Sequence, residues 1–154
     1  MRNPRASRDA PVSSDVRQHM TRVLELHDSV VSSVTLHGSD VVVVLNPAYV
    51  HESAQRPAVD PGTVYTQAVE LRFAQATWTD TLPVDVEPEL SSGIVQFDGH
   101  AFDNIIPLPF EARGSVKATL AYGYLDAVLE VKGFEFRCKA VGPAHLLEAF
   151  PGAV

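Results

Sequence analysis

Apolar residues recur along this chain with two different periods. Up to His27 the spacing is helical. Val16, Met20, Val23, Leu24 and His27 fall three, four and seven apart, behind Ser13 and Ser14, which are good N-caps. This predicts one amphipathic helix over about residues 14–26. The period then changes to two. Val30, Ser32, Val34 and Leu36 share one face, and Val31, Ser33, Thr35 and His37 share the other, the alternation of a strand. A turn at His37-Gly38-Ser39-Asp40 leads into Val41–Leu45, which has no alternation at all, as expected of a central strand covered on both faces. Asn46-Pro47 interrupts or ends it. Residues 48–63, with Pro57 and a Pro61-Gly62 turn signal, read as the longest loop.

Residues 64–78 return to alternation, with Val69, Leu71 and Phe73 facing one way and Glu70 and Arg72 the other. The acidic, proline-containing stretch 79–93 reads as a surface loop. Asp98-Gly99 is a strong hairpin signal, and Glu111–Ser115 reads as another turn. The last third predicts a three-stranded antiparallel meander with one wet face. Its inward set is Val116, Ala118, Leu120 and Tyr122, then Ala127, Leu129 and Val131, then Phe134, Phe136, Cys138 and Ala140. Pro143 opens a short closing helix or turn that runs to Phe150. Together these elements predict a mainly β (α+β) chain: an antiparallel β-sandwich or partly open barrel of about eight strands, with one N-terminal helix and a short C-terminal helix. No internal repeat is evident.

Composition narrows the class. At 154 residues one domain is expected, and 45% hydrophobic with 20% charged residues is the balance of a globular protein that folds unaided. The longest strongly apolar stretch, Val41–Leu45, is far short of the ~18–20 residues of a membrane helix. Arg2, Arg5 and Arg8 precede no apolar segment of the kind a secretory signal requires, so residues 1–12 read as a flexible basic tail and 13–154 as a single domain of a cytoplasmic protein. Cys138 is the only cysteine, which excludes an intramolecular disulfide and a multi-cysteine zinc site. A formal charge of −7, with basic residues spread singly beyond the tail, argues against nucleic acid. The same acidity suits a basic protein partner, although moderate negative charge also simply keeps a protein soluble.

Candidate chemistry is sparse. An adjacent His27-Asp28 pair is like the metal dyad of helical phosphohydrolases, but that site needs further histidines on a helical bundle. His27, His37, His51, Glu52, His100 and Asp103 are ligand types without H-x-H or H-x-x-x-H spacing, so no metal is assigned. The structural reading of the triplet is that His27 complements a helix C-terminus while Asp28 and Ser29 turn the backbone. There is no G-x-S-x-G, no glycine-rich phosphate loop, and Cys138 falls on an inward strand face. No catalytic residue and no cofactor are therefore expected. The densest polar and aromatic group lies along 49–67, where Tyr49, His51, Glu52, Arg56, Tyr65 and Gln67 are of types favoured at recognition surfaces. His27 and Asp28 join these candidate binding residues if the triplet meets that segment in space.

The order Leu26-His27-Asp28-Ser29, a hairpin, Ala48-Tyr49-Val50-His51-Glu52-Ser53, a second hairpin ahead of Asn104–Pro109, and a closing Leu146–Phe150 resembles a group of small bacterial domains of unknown function. It is also loosely similar to immunity proteins of bacterial polymorphic-toxin systems that begin with a helix and an L-H-D element. The resemblance covers about residues 24–150. It implies a non-enzymatic inhibitor that binds a toxin domain, and it carries over no functional residue. The leading expectation is thus a protein-binding module. The rival is a small-molecule-binding or enzymatic β-barrel with its site near the 49–67 loop and His27, His51 and Asp103 convergent in it.

Overall fold

The computed structural model describes residues 21–54, 60–80, 88–123 and 127–151. It contains eleven strands: β1 (Thr21–Glu25), β2 (Val31–His37), β3 (Asp40–Ser53), β4 (Gly62–Ala74), β5 (Thr77–Asp80), β6 (Leu90–Phe97), β7 (His100–Asp103), β8 (Ile105–Pro107), β9 (Phe110–Tyr122), β10 (Val128–Ala140) and β11 (His145–Phe150). All belong to one sheet whose main path is β7-β6-β9-β10-β4-β3-β1-β8, with β2 beside β3, β5 beside β10 and β11 beside β4.

The sheet curls until its ends nearly meet. Asn104 bridges the seam: its carbonyl accepts from Leu26 N–H and its own N–H donates to Gly93 O, both at 2.8 Å. Further along, Asp28 N–H donates to Leu90 O and Leu90 N–H to Ser29 O, again at 2.8 Å. The result is a nearly closed barrel, which removes most of the exposed edge of an antiparallel sheet. Gly93 leaves room for two leucine ends there: a Cβ would lie 2.6 Å from Leu26 Cδ1 and 2.8 Å from Leu120 Cδ2, and both would have to shift.

Alternation fills the barrel. Leu24, Val43, Leu45, Val50, Val69, Leu71, Phe73, Val95, Leu120, Leu129, Val131 and Phe136 are all fully buried. Cys138 is among them, and burial pushes its thiol pKa up to about 12, which keeps it unreactive as expected. The Asp98-Gly99 hairpin forms as expected, with both residues at positive φ (45° and 79°) between the paired Phe97 and His100. So does the turn at Gly38, between His37 and Asp40.

Several expectations are corrected. Among the described residues there is no helix. Residues 21–25 form β1 instead of the end of a helix; 14–20 lie outside the described residues. The reason is pairing on both sides: Leu24 sits opposite Val50 of β3 and Ile106 of β8, and two ladders outweigh a helical period carried by few residues. The segment 145–150 is likewise strand β11, paired with β4. Pro47 does not end β3. A bulge between Leu45 and Ala48 carries Asn46 and Pro47 out of the β4 ladder, and Ala48–Ser53 then continues as strand instead of loop. Glu111–Ser115 is part of β9, with Gly114 at φ 109°, and not a turn. Finally, β10 runs straight through Gly133, so the expected meander has two strands where three were expected. Phe134 keeps the outward face of Lys132, 56% exposed, and the register shift between Gly133 and Glu135 changes the alternation so that Phe136 lies inside.

Candidate functional site

Strands β1, β3 and β4 lie side by side, so strand alternation decides which residues of the 49–67 segment meet. Leu24, Ala48 and Val50 point into the core. Arg22 and Glu52 stand two residues beyond Leu24 and Val50 on the same inner face, and Tyr65 and Gln67 of β4 sit opposite Val50 and Ala48. Here, at one end of the barrel, the lining changes from apolar to polar. Tyr65 O–H donates to Glu52 Oε1 at 3.0 Å, Arg22 Nη2 donates to Gln67 Oε1 at 3.0 Å, and Arg22 Nε lies 4.0 Å from Glu52 Oε2. Gln67 Nε2 in turn donates to Gly142 O at 2.7 Å, tying the segment before β11 to the network. Each member has a partner, which suits a rigid, preformed surface.

The outer face of the same strands carries a second cluster. Tyr49 sits opposite Glu25, and His51 opposite Val23. His51 Nε2 donates to Glu25 Oε1 at 2.8 Å across the diagonal. This hydrogen bond holds the Glu25 carboxyl below its ordinary value; burial opposes it, and the charges of His51 and His27 and a hydrogen bond from Asn104 add to the lowering. His27 N–H donates to Asn104 Oδ1 at 2.7 Å, and its ring Nδ1 lies 3.2 Å from Asp28 Oδ2. The triplet therefore does meet the 49–67 segment, with Glu25 between the two histidines.

Within the triplet Asp28 adopts φ 72° in a turn closed by Ser29 N–H to Leu26 O. Ser29 is fully buried. Its hydroxyl donates to Glu25 O at 2.7 Å and accepts Tyr49 N–H at 3.1 Å. His27 caps no helix; the triplet turns the chain between two strands.

Of the residues singled out from sequence, Glu52, Tyr65 and Gln67 form the inner network, and His27, Asp28, Tyr49 and His51 border the outer cluster. Arg56 lies outside the described residues. Asp103 is exposed on β7 opposite Ile94, and no hydrogen bond or ion pair joins it to His27 or His51. Arg22, Glu25 and Asn104 escaped sequence reasoning. The alternation Arg22, Leu24, Leu26 was the available signal, masked by the helical reading of the same stretch. Among the described residues no group of three or more His, Cys, Asp or Glu is placed to hold a metal ion.

The Glu25–His51 pair makes a pH prediction. A carboxylate whose folded pKa is lowered stabilises the fold above its ordinary value, 4.5, and loses that contribution as pH falls through the folded value. Glu25→Gln is expected to lower the unfolding free energy by about 1 kcal/mol or less at pH 6, a partly exposed pair being weakened by solvent. The deficit should close towards pH 3. Urea midpoints measured at both pH values check this, and a deficit that does not change with pH would contradict it.

Room for a ligand lies elsewhere. The cavity beside His51, Glu52 and Thr63 has a volume of about 10 Å³. The large hollow, about 670 Å³, is at the other end of β4, bordered by Phe97, Asp98, His100, Lys117, Lys132 and Phe134. The fold and its two polar clusters define the class: a nearly closed antiparallel barrel with an anchored polar end. Compared with known proteins, the chain matches no family model, no curated protein and no solved structure. Among the described residues no helix is long and apolar enough to cross a membrane.

Proposed function

We propose that this chain is a cytoplasmic protein-binding module that holds its partner at the polar end of the barrel and along β11. Inhibition of a toxin domain, in the manner of an immunity protein, is the form of that activity suggested by the sequence resemblance. One observation carries the reading. Every side chain from His145 to Ala149 is exposed, so β11 is a strand open on both faces. Leu146 and Leu147 are 65% and 54% exposed. Among the described residues β11 pairs with β4 alone, which leaves its other edge to receive a strand from a partner.

Proteins normally blunt such an edge, and consecutive exposed leucines on one are a contact surface or a liability. Here they adjoin the anchored network, Leu146 being opposite Tyr65 in the ladder. Apolar anchors beside a hydrogen-bonded polar and aromatic rim are the usual anatomy of a protein interface. The net charge of −7 favours a basic partner.

Affinity capture from an extract of the native source, repeated by co-expression with a toxin encoded beside the gene, tests the proposal. A partner retained by the wild-type chain is expected to be lost about tenfold or more with Leu146→Lys/Leu147→Lys, since two anchors of ~1 kcal/mol or more each are removed. Both leucines are exposed, so circular dichroism should be unchanged. No retained partner, equal retention by the variant, or a homodimer that the variant dissociates would each overturn it.

A further inference from the structure

A row of polar side chains crosses the outer face of the barrel far from β11. Ladder partners Gln96 and Lys117, Lys117 and Lys132, and Lys132 and Thr77 stand next to one another on β6, β9, β10 and β5. Two lysines directly opposite each other repel and weaken the strand pair. Lys117 Nζ has a carboxylate, Glu130 Oε2, at 3.4 Å. Lys132 is exposed and has no ion-pair partner among the described residues. In a chain with 19 acidic and 12 basic side chains, many carboxylates could have stood opposite Lys117, yet the position holds a second cation.

These lysines border the 670 Å³ groove, within the ~300–1,000 Å³ range of small-molecule sites. Its shape follows from two backbone irregularities. At Gln75, φ 47°, the chain steps from β4 to β5, and beside that step the β9–β10 register shifts between Gly133 and Glu135. A Cβ on Gly133 would lie 2.8 Å from Ala74 O, so only glycine permits the crossing. Phe134, two residues from Lys132, shares its outward face. On the other side Phe97 and His100, ring centroids 5.8 Å apart, close the groove at the β6–β7 hairpin. The exposed ring of Phe134 thus stands on the same face as the pair of ammonium groups.

We infer that this groove binds a small organic anion with a flat apolar body, its acidic group between Lys117 and Lys132 and its body against Phe134. An anion there relieves the lysine repulsion, and the Phe134 ring supplies apolar and stacking contact. Asp98 on the rim and the net charge of −7 disfavour a polyanion such as nucleic acid. The site is separate from the proposed β11 interface, and neither depends on the other.

The probe is 8-anilinonaphthalene-1-sulfonate, followed by fluorescence titration at low salt and by backbone amide shifts. Saturable 1:1 binding is expected, with shifts at Lys117, Lys132 and Phe134. Lys132→Gln and Phe134→Ser should each weaken it about fivefold, the size of one partly exposed contact. Lys139→Gln, which removes the same charge elsewhere on β10, should leave it within about twofold. Inorganic phosphate, an anion without an apolar body, should compete only weakly. All three altered side chains are exposed, and an unchanged urea midpoint confirms that each variant is folded. Non-saturable binding, equal weakening by Lys139→Gln, or shifts confined to Leu146 and Leu147 would overturn the inference.

Discussion

Phe136→Ala is expected to lower the unfolding free energy by about 3–5 kcal/mol, the range for deleting a fully buried aromatic ring. Phe136 is completely buried, with its ring 5.1 Å from that of Phe73 and 6.2 Å from that of Phe110. Through Phe110 it reaches Phe97 and Phe102, so it joins the barrel interior to the aromatic cluster at one end. Collapse around the vacancy is restricted, because Phe136 is held in ladders on both sides, opposite Phe73 of β4 and Ala112 of β9. A cavity that cannot relax adds its own cost to the lost transfer energy. Phe134→Ala, two residues away, should change stability by no more than about 0.5 kcal/mol, since that ring faces solvent. Urea unfolding of the two variants checks the contrast. A Phe136→Ala loss below about 1 kcal/mol, or equal losses for both, would contradict the assignment of Phe136 to the core and Phe134 to the surface.

Ser29→Ala is expected to cost about 1–3 kcal/mol, although it removes a single oxygen. The Ser29 hydroxyl is buried between the Glu25 carbonyl and the Tyr49 amide. Alanine leaves the Tyr49 donor unpaired in the interior, and that penalty exceeds what the hydrogen bond itself contributes. Ser29 O also accepts from Leu90, so faster hydrogen exchange is expected at Tyr49 and Leu90 together. His27→Ala should have a much smaller effect, because half of that side chain is in water. Equal stability of Ser29→Ala and wild type would remove the seam argument.

Much of the architecture was legible in the chain. Val69, Leu71 and Phe73 alternate with Glu70 and Arg72, Asp98-Gly99 makes the hairpin its left-handed residues favour, and Cys138 is an inert core thiol. The errors share one origin. At 21–25, at Pro47 and at Gly133, the local preferences for helix, breaker and turn give way to long-range strand pairing. A bulge absorbs Pro47 because the lost ladder bonds are replaced: Val30 N–H donates to Pro47 O and Asn46 N–H to Val30 O.

The candidate site divides in the same way. Glu52, Tyr65 and Gln67 were singled out by residue type, and the structure joins them; their partner Arg22 is 45 residues from Gln67 and was hidden in a supposed helix. His27 reaches the segment only through Glu25 and through Asn104, 77 residues away. By itself, then, the sequence determined a β-rich chain, most of its inward faces and its tight turns, because period two and positive φ are properties of adjacent residues. Only the tertiary structure decided that β1 is a strand, where the bulges reverse a face, and which cations stand side by side at Lys117 and Lys132. Those depend on register between distant strands, and a shift of one residue sends a side chain to the opposite face.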